Sequence, residues 1–129
     1  MTIDIRWARL VFPLRFKFKH AAAKRSKSSS ILVEVRAGPY RGYGEACPRS
    51  YVTGETEESV IAFLEKHGSE WVTSVKCIDT LRNRVRDEED LINKNPAAFS
   101  SLEIALIDIL AQEKKVSVEA LLELSLIHI

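Results

Sequence analysis

Over Ile3 to Phe18 and again over Ile31 to Val35 apolar residues recur at every second position, and after Thr56 they recur at helical spacing, so the chain passes from strand to helix character. Ile3, Ile5, Trp7 and Val11 share one phase of a two-residue repeat, which predicts a half-buried strand over Ile3 to Phe12. Pro13 is expected to interrupt it. Leu14, Phe16 and Phe18 then alternate with Arg15, Lys17 and Lys19, predicting a second strand with apolar side chains inward and cations outward. The small and basic residues from His20 to Ser30 have no period and read as a loop. Ile31, Val33 and Val35 alternate with Leu32, Glu34 and Arg36 as a third strand. A turn over Gly38 to Gly42 precedes a short strand at Tyr43 to Ala46. Connections this short cannot be parallel crossovers, so the expected sheet is an antiparallel meander of three to four strands.

Thr56 is a good helix N-cap, with Glu57 and Glu58 at the positive end of the helix dipole. Val60, Phe63, Leu64 and His67 follow at helical spacing, and Gly68 is expected to end the helix. A charged helix with Leu81 and Val85 is predicted over Ile78 to Leu91. Asn95-Pro96 is a strong helix start, and the segment Ala97 to Ala111 carries two apolar strips. Ala98, Leu102, Ala105, Leu106 and Ile109 form one; Ile104, Ile107 and Ala111 form the other. A helix apolar on two sides needs two packing partners, so a further domain or subunit is expected to cover the second. Val116 to Leu122, with Ser117 as cap, predicts one more helical piece. The fold class is α+β: the meander followed by a helical bundle. The tail Leu124 to Ile129 ends on an apolar run without cap or turn and resembles a translated sequencing adapter. The folded domain is therefore expected over 1–123, with a non-native scar at 124–129.

Composition narrows the functional classes. A chain of 129 residues is the size of one domain, and a net charge of +1 gives no global field for nucleic acid or an anionic membrane. Cys47 and Cys77 lack the spacing of a metal clip or a disulfide framework, as expected of reduced thiols in the cytoplasm. The start Met1 to Arg6 has an early acid and no long apolar run, and no later stretch is long and apolar enough to span a bilayer.

No residue set makes a self-contained active site. His20, His67 and His128 are scattered without metal-ligand spacing, and His67 suits a packing or dipole role. Glu103 and Asp108 share a helix but project more than a quarter-turn apart, which favours capping or hydrogen bonding over paired catalysis. Gly42-Tyr43-Gly44 lacks the third glycine of a dinucleotide fingerprint and reads as a turn. The basic run Lys24-Arg25-Ser26-Lys27 lacks the interleaved aromatics of a nucleic-acid surface; a narrower role is gripping a substrate carboxylate.

Three segments together carry a resemblance. Gly42-Tyr43-Gly44-Glu45-Ala46, then Val52-Thr53-Gly54-Glu55-Thr56, and finally Pro96-Ala97-Ala98 through Ala105-Leu106-Ile107-Asp108-Ile109-Leu110 make the chain, from Ile3 to about Leu122, similar to the N-terminal capping domain of the enolase superfamily. The branch is that of mandelate racemase and muconate lactonizing enzyme, and Tyr51 to Thr56 looks most like the dipeptide epimerases. Lys114-Lys115 departs from it, standing where relatives often have a glycine-containing turn.

The resemblance implies a lid of two mobile loops over the mouth of a TIM barrel. The first falls at His20 to Ser28, offering His20, Lys24, Arg25 and Lys27 to a substrate; the second falls at Cys47 to Gly54, offering Tyr51, Val52, Thr53 and Gly54. It further implies magnesium held by barrel carboxylates, a small carboxylate or dipeptide substrate, and a homo-oligomeric parent. Such a barrel needs about 250 residues by itself. Its metal ligands and bases are thus expected outside this chain, and Lys17-Phe18-Lys19 only superficially copies the barrel's Lys-x-Lys. The alternative from another class is a freestanding α+β module that binds an anionic partner through the basic run.

Overall fold

The computed structural model describes the backbone of residues 3–20 and 23–127, and the side chains of 4–13 and 29–123. Strands β1 (Ile3–His20), β2 (Ala23–Ala37) and β3 (Tyr40–Ala46) form one antiparallel sheet in the order β1-β2-β3. Helices follow: α1 (Glu57–Ser74), α2 (Ile78–Asp87), α3 (Glu89–Lys94), α4 (Pro96–Lys114) and α5 (Val118–Ile127). The order of a meander followed by helices is the expected one. No helix among the described residues is long and apolar enough to cross a membrane.

One face of the sheet carries Ile31, Val33 and Val35, all fully buried, and against it lie α1 and α4 with Val60, Leu64, Trp71, Leu102 and Ala105. Period-two burial on β2 and β3 and period-3.6 burial on α1 and α4 thus meet in one core. The opposite face is solvated, as an antiparallel sheet permits. There Tyr43 Oη donates to the Glu34 carboxylate at 2.8 Å.

Several expectations are corrected. Pro13 does not end a strand: β1 runs through it, with Pro13 opposite Lys27 and the register shifting between Pro13 and Phe18. β1 is an edge strand, where a residue without an N–H is tolerated. Of the stretch from His20 to Ser30, expected as a loop, the described residues His20 and 23–30 are not loop. Their backbone is strand, with Ser30, Ser29 and Ser28 opposite Leu10, Val11 and Phe12, and Arg25, Lys24 and Ala23 opposite Phe18, Lys19 and His20. A two-stranded arm therefore extends beyond the last β2–β3 pair, Ile31 with Ala46. Ser28 to Ser30 pair through the backbone and carry no apolar period, which is why the serines concealed this strand.

Gly42-Tyr43-Gly44 lies inside β3 and is not a turn; its glycines face α4. Gly68 does not end α1, which continues to Ser74 and buries Trp71 and Val72. A Cβ on Gly68 would lie 2.7 Å from Ile5 Cδ1, so the helix uses this glycine for contact with β1. The single helix expected over Ile78 to Leu91 is two, broken at Glu88. Lys115 ends α4 in the left-handed region at φ 57°, a conformation that glycine adopts without strain.

Candidate functional site

The second expected lid segment is a hook with both ends fastened. After β3, the carbonyl of Arg49 accepts from Val52 N at 2.9 Å and Thr53 N at 3.0 Å, and that of Ser50 accepts from Gly54 N at 3.1 Å, which closes one helical turn. Gly54 then reverses the chain with φ 79°, where a side chain would be strained. At the near end the Arg49 guanidinium donates to the Ser29 carbonyl at 2.9 Å and to the Pro48 carbonyl at 2.7 Å. At the far end the buried Glu55 carboxylate accepts from Ala97 N at 2.8 Å and Ala98 N at 3.0 Å, at the start of α4. Thr56 then caps α1 reciprocally with Ser59.

Between these fastenings the sequence-predicted residues are presented outward. Val52 is 68% exposed, Thr53 and Gly54 are exposed, and Tyr51 is half-buried. Thr53 Oγ1 also accepts from Glu55 N at 3.4 Å, a long contact across the glycine. The first expected segment is the outer part of the β1–β2 arm. His20, Lys24, Arg25 and Lys27 belong to its strands by backbone pairing, with Lys27 opposite Pro13, while their side chains lie outside the described residues. Arg49 joins the two segments at their roots, since Ser29 stands where β2 leaves the three-stranded sheet. Val11 and Phe12, opposite Ser29 and Ser28, are each 57% exposed because the arm lies beyond the covering helices. Arg9, on the phase of Ile5 and Trp7, pairs with Glu57 at 3.2 Å, so the first turn of α1 marks the edge of that cover.

Glu55 and Arg49 were not singled out by sequence reasoning. The available signal for Glu55 was an acid directly before a helix cap, but its target lies 42 residues on. Asp108, expected to serve in hydrogen bonding, accepts from Tyr43 N at 3.2 Å and from Gln112 Nε2 at 2.9 Å. His67 stacks near Phe63 with ring centroids 5.1 Å apart, a packing role. Burial raises the Glu103 carboxyl above its ordinary range, while hydrogen bonds from the Thr80 backbone and then its hydroxyl lower the Cys77 thiol.

Among the described residues no group of three or more His, Cys, Asp or Glu is arranged to hold a metal ion. The magnesium implied by the resemblance therefore finds no fitting donor set among the described residues. Two apolar cavities lie elsewhere: one of about 310 Å³ between Tyr40, Val72 and Ile109, and one of about 460 Å³ between Leu81, Val85 and Ile107. Neither touches the hook.

No protein-family model matches the chain. Over 102 residues it is 33% identical to the L-Lys-D/L-Arg epimerase of Methylococcus capsulatus, a match that covers 78% of this chain and 28% of that protein. The structure superposes on the L-Ala-D/L-Glu epimerase of Bacillus subtilis, solved with substrate, with TM-score 0.75 and 26% identity over 88% of this chain and 32% of that one. It also superposes on the dipeptide epimerase of Methylococcus capsulatus, solved with Mg and L-Arg-D-Lys, with TM-score 0.71 and 32% identity over the same shares, 88% and 32%. The chain thus spans less than one third of the length of these relatives. It belongs to the enolase superfamily, in the branch of the mandelate racemases and muconate lactonizing enzymes, and its α+β fold is that of their N-terminal domain.

Proposed function

We propose that the chain is the substrate-capping part of a magnesium-dependent isomerase that moves the α-proton of a carboxylate substrate, with a dipeptide epimerase as the favoured parent and a cycloisomerase second. The observation that supports it is the hook from Arg49 to Glu55, fastened at both ends and presenting Val52 and Thr53 to solvent. A cap of this kind contributes shape and exclusion of water, leaving proton transfer to bases on another domain. Val52 and Thr53 would contact the part of the substrate remote from the reacting carbon, so they would influence which dipeptide is accepted.

The test has two arms, both reading exchange of the α-hydrogen in deuterated water. The chain alone, with magnesium and dipeptides, is expected to catalyse none. Exchanged for the corresponding segment of the Bacillus subtilis epimerase, it is expected to support magnesium-dependent exchange, with Val52→Asp altering the preference among dipeptides. Turnover by the chain alone, or a folded hybrid inactive on every dipeptide, would overturn the proposal.

A further inference from the structure

Helix α4 begins without a cap of its own. Pro96 has no N–H, the Asn95 side chain turns back to the Leu91 carbonyl at 3.1 Å, and Phe99 N is the first to bond back within the helix, to Asn95 O at 2.9 Å. The amides left over are Ala97 N and Ala98 N, and one carboxylate oxygen of Glu55 takes each. Glu55 is only 3% exposed. The pair of bonds is charge-assisted, lies at the positive end of the helix dipole, and replaces water for the buried carboxylate and Ala98 amide and the part-buried Ala97 amide. Only Gly54 separates Glu55 from Thr53, so the same carboxylate also determines where the exposed tip of the hook stands.

We infer that Glu55 is a positioning residue that fastens the Tyr51–Thr53 tip to the start of α4, making this half of the lid a fixed wall of the substrate site and not a flap that opens. The fastening stands on the geometry alone; its bearing on substrate rests on the function proposed above. Opening the hook would require the carboxylate and both amides to be released together.

Amide hydrogen exchange on the full chain tests the fastening. Glu55→Ala is expected to speed exchange at least tenfold at Val52, Thr53 and Gly54 and at Ala97 and Ala98, with Val33 and Val35 unchanged. Adding Asn95→Asp to Glu55→Ala supplies a local cap to α4 without restoring any link to the hook. That double variant is expected to recover protection at Ala98 and not at Val52 to Gly54. If the hook amides stay protected in Glu55→Ala, or regain protection with Asn95→Asp, the carboxylate is a helix cap only and the inference is overturned. Should Glu55→Ala not fold, Glu55→Gln, which keeps one acceptor oxygen, must still speed exchange at the hook; unchanged exchange there overturns the inference equally. In the epimerase hybrid, Glu55→Gln is expected to raise KM for dipeptide several-fold while changing kcat less. Faster hook exchange with KM unmoved would retain the fastening and sink only the substrate-facing reading.

Discussion

Helix α4 has two apolar sides that look alike in sequence and are packed by different rules. On the side facing β3, Ala98, Leu102 and Ala105 are fully buried, and the contact is backbone to backbone. A Cβ built on Gly44 would lie 1.9 Å from the Ser101 carbonyl oxygen, and one on Gly42 would lie 2.1 Å from that of Ala105. The facing strand has given up two side chains so that the helix can approach. On the other side Ile104 is 49% exposed and Ile107 half-buried, Ala111 at the end of the strip is buried, and Glu103 borders a groove with Leu81 and Leu122. Equal apolarity therefore does not mean equal burial: what differs is whether the neighbouring element can come close.

The largest test of this contrast is Gly44→Ala. The added methyl would meet a helix carbonyl that cannot swing aside, so the cost is expected at about 3 kcal/mol, the upper part of the range for overpacking, read from the urea unfolding midpoint. A loss below about 1 kcal/mol would show that the helix can retreat and that the close approach is not specified.

A smaller, pH-dependent effect is expected at Glu103. Burial raises its carboxyl in the folded state, so the fold holds the proton more tightly than the unfolded chain does. Stability from this group is full at low pH, falls as pH rises from the ordinary carboxyl range through the raised value, and stays reduced above. Glu103→Gln should thus match the parent at acid pH and be the more stable at neutral pH, measured by denaturant midpoints between about pH 3 and pH 8. Equal stability of the two at neutral pH would mean that Glu103 is as solvated as the exposed face around Ile104.

The smallest effect belongs to Ile104→Ser, expected to change stability by less than about 0.5 kcal/mol, because half of the side chain already meets water. Its solubility should rise. A loss above about 1 kcal/mol would place Ile104 in a packed environment and erase the distinction between the two sides.

Much of the body was legible because burial on one face imposes a period. Ile31, Val33 and Val35 announced β2, and Ala98 with Leu102, Ala105 and Leu106 announced the buried side of α4. The β2 side of the arm was illegible for the opposite reason: Ser28 to Ser30 pair as strand through the backbone, without any apolar signature. Gly68 misled because a glycine within helical spacing signals a stop unless a neighbour needs the room, and here Ile5 does. At the candidate site, Tyr51 to Gly54 could be named from their likeness to known loops. The partners that hold them could not, since Arg49 reaches Ser29 across 20 residues and Glu55 reaches Ala97 across 42.

By itself, then, the sequence determined the order of strands before helices, the antiparallel sheet, the start of α1 and α4, the two-sided character of α4 and the family. These follow from local periodicity, short connections and short motifs, which require no knowledge of what packs where. Only the tertiary structure decided that Gly42 and Gly44 admit a helix backbone, that the arm is strand, and that Glu55 caps a helix distant in the chain. Each of these depends on a contact between segments remote in sequence, and such a contact leaves no mark on the residues until the chain has folded around it.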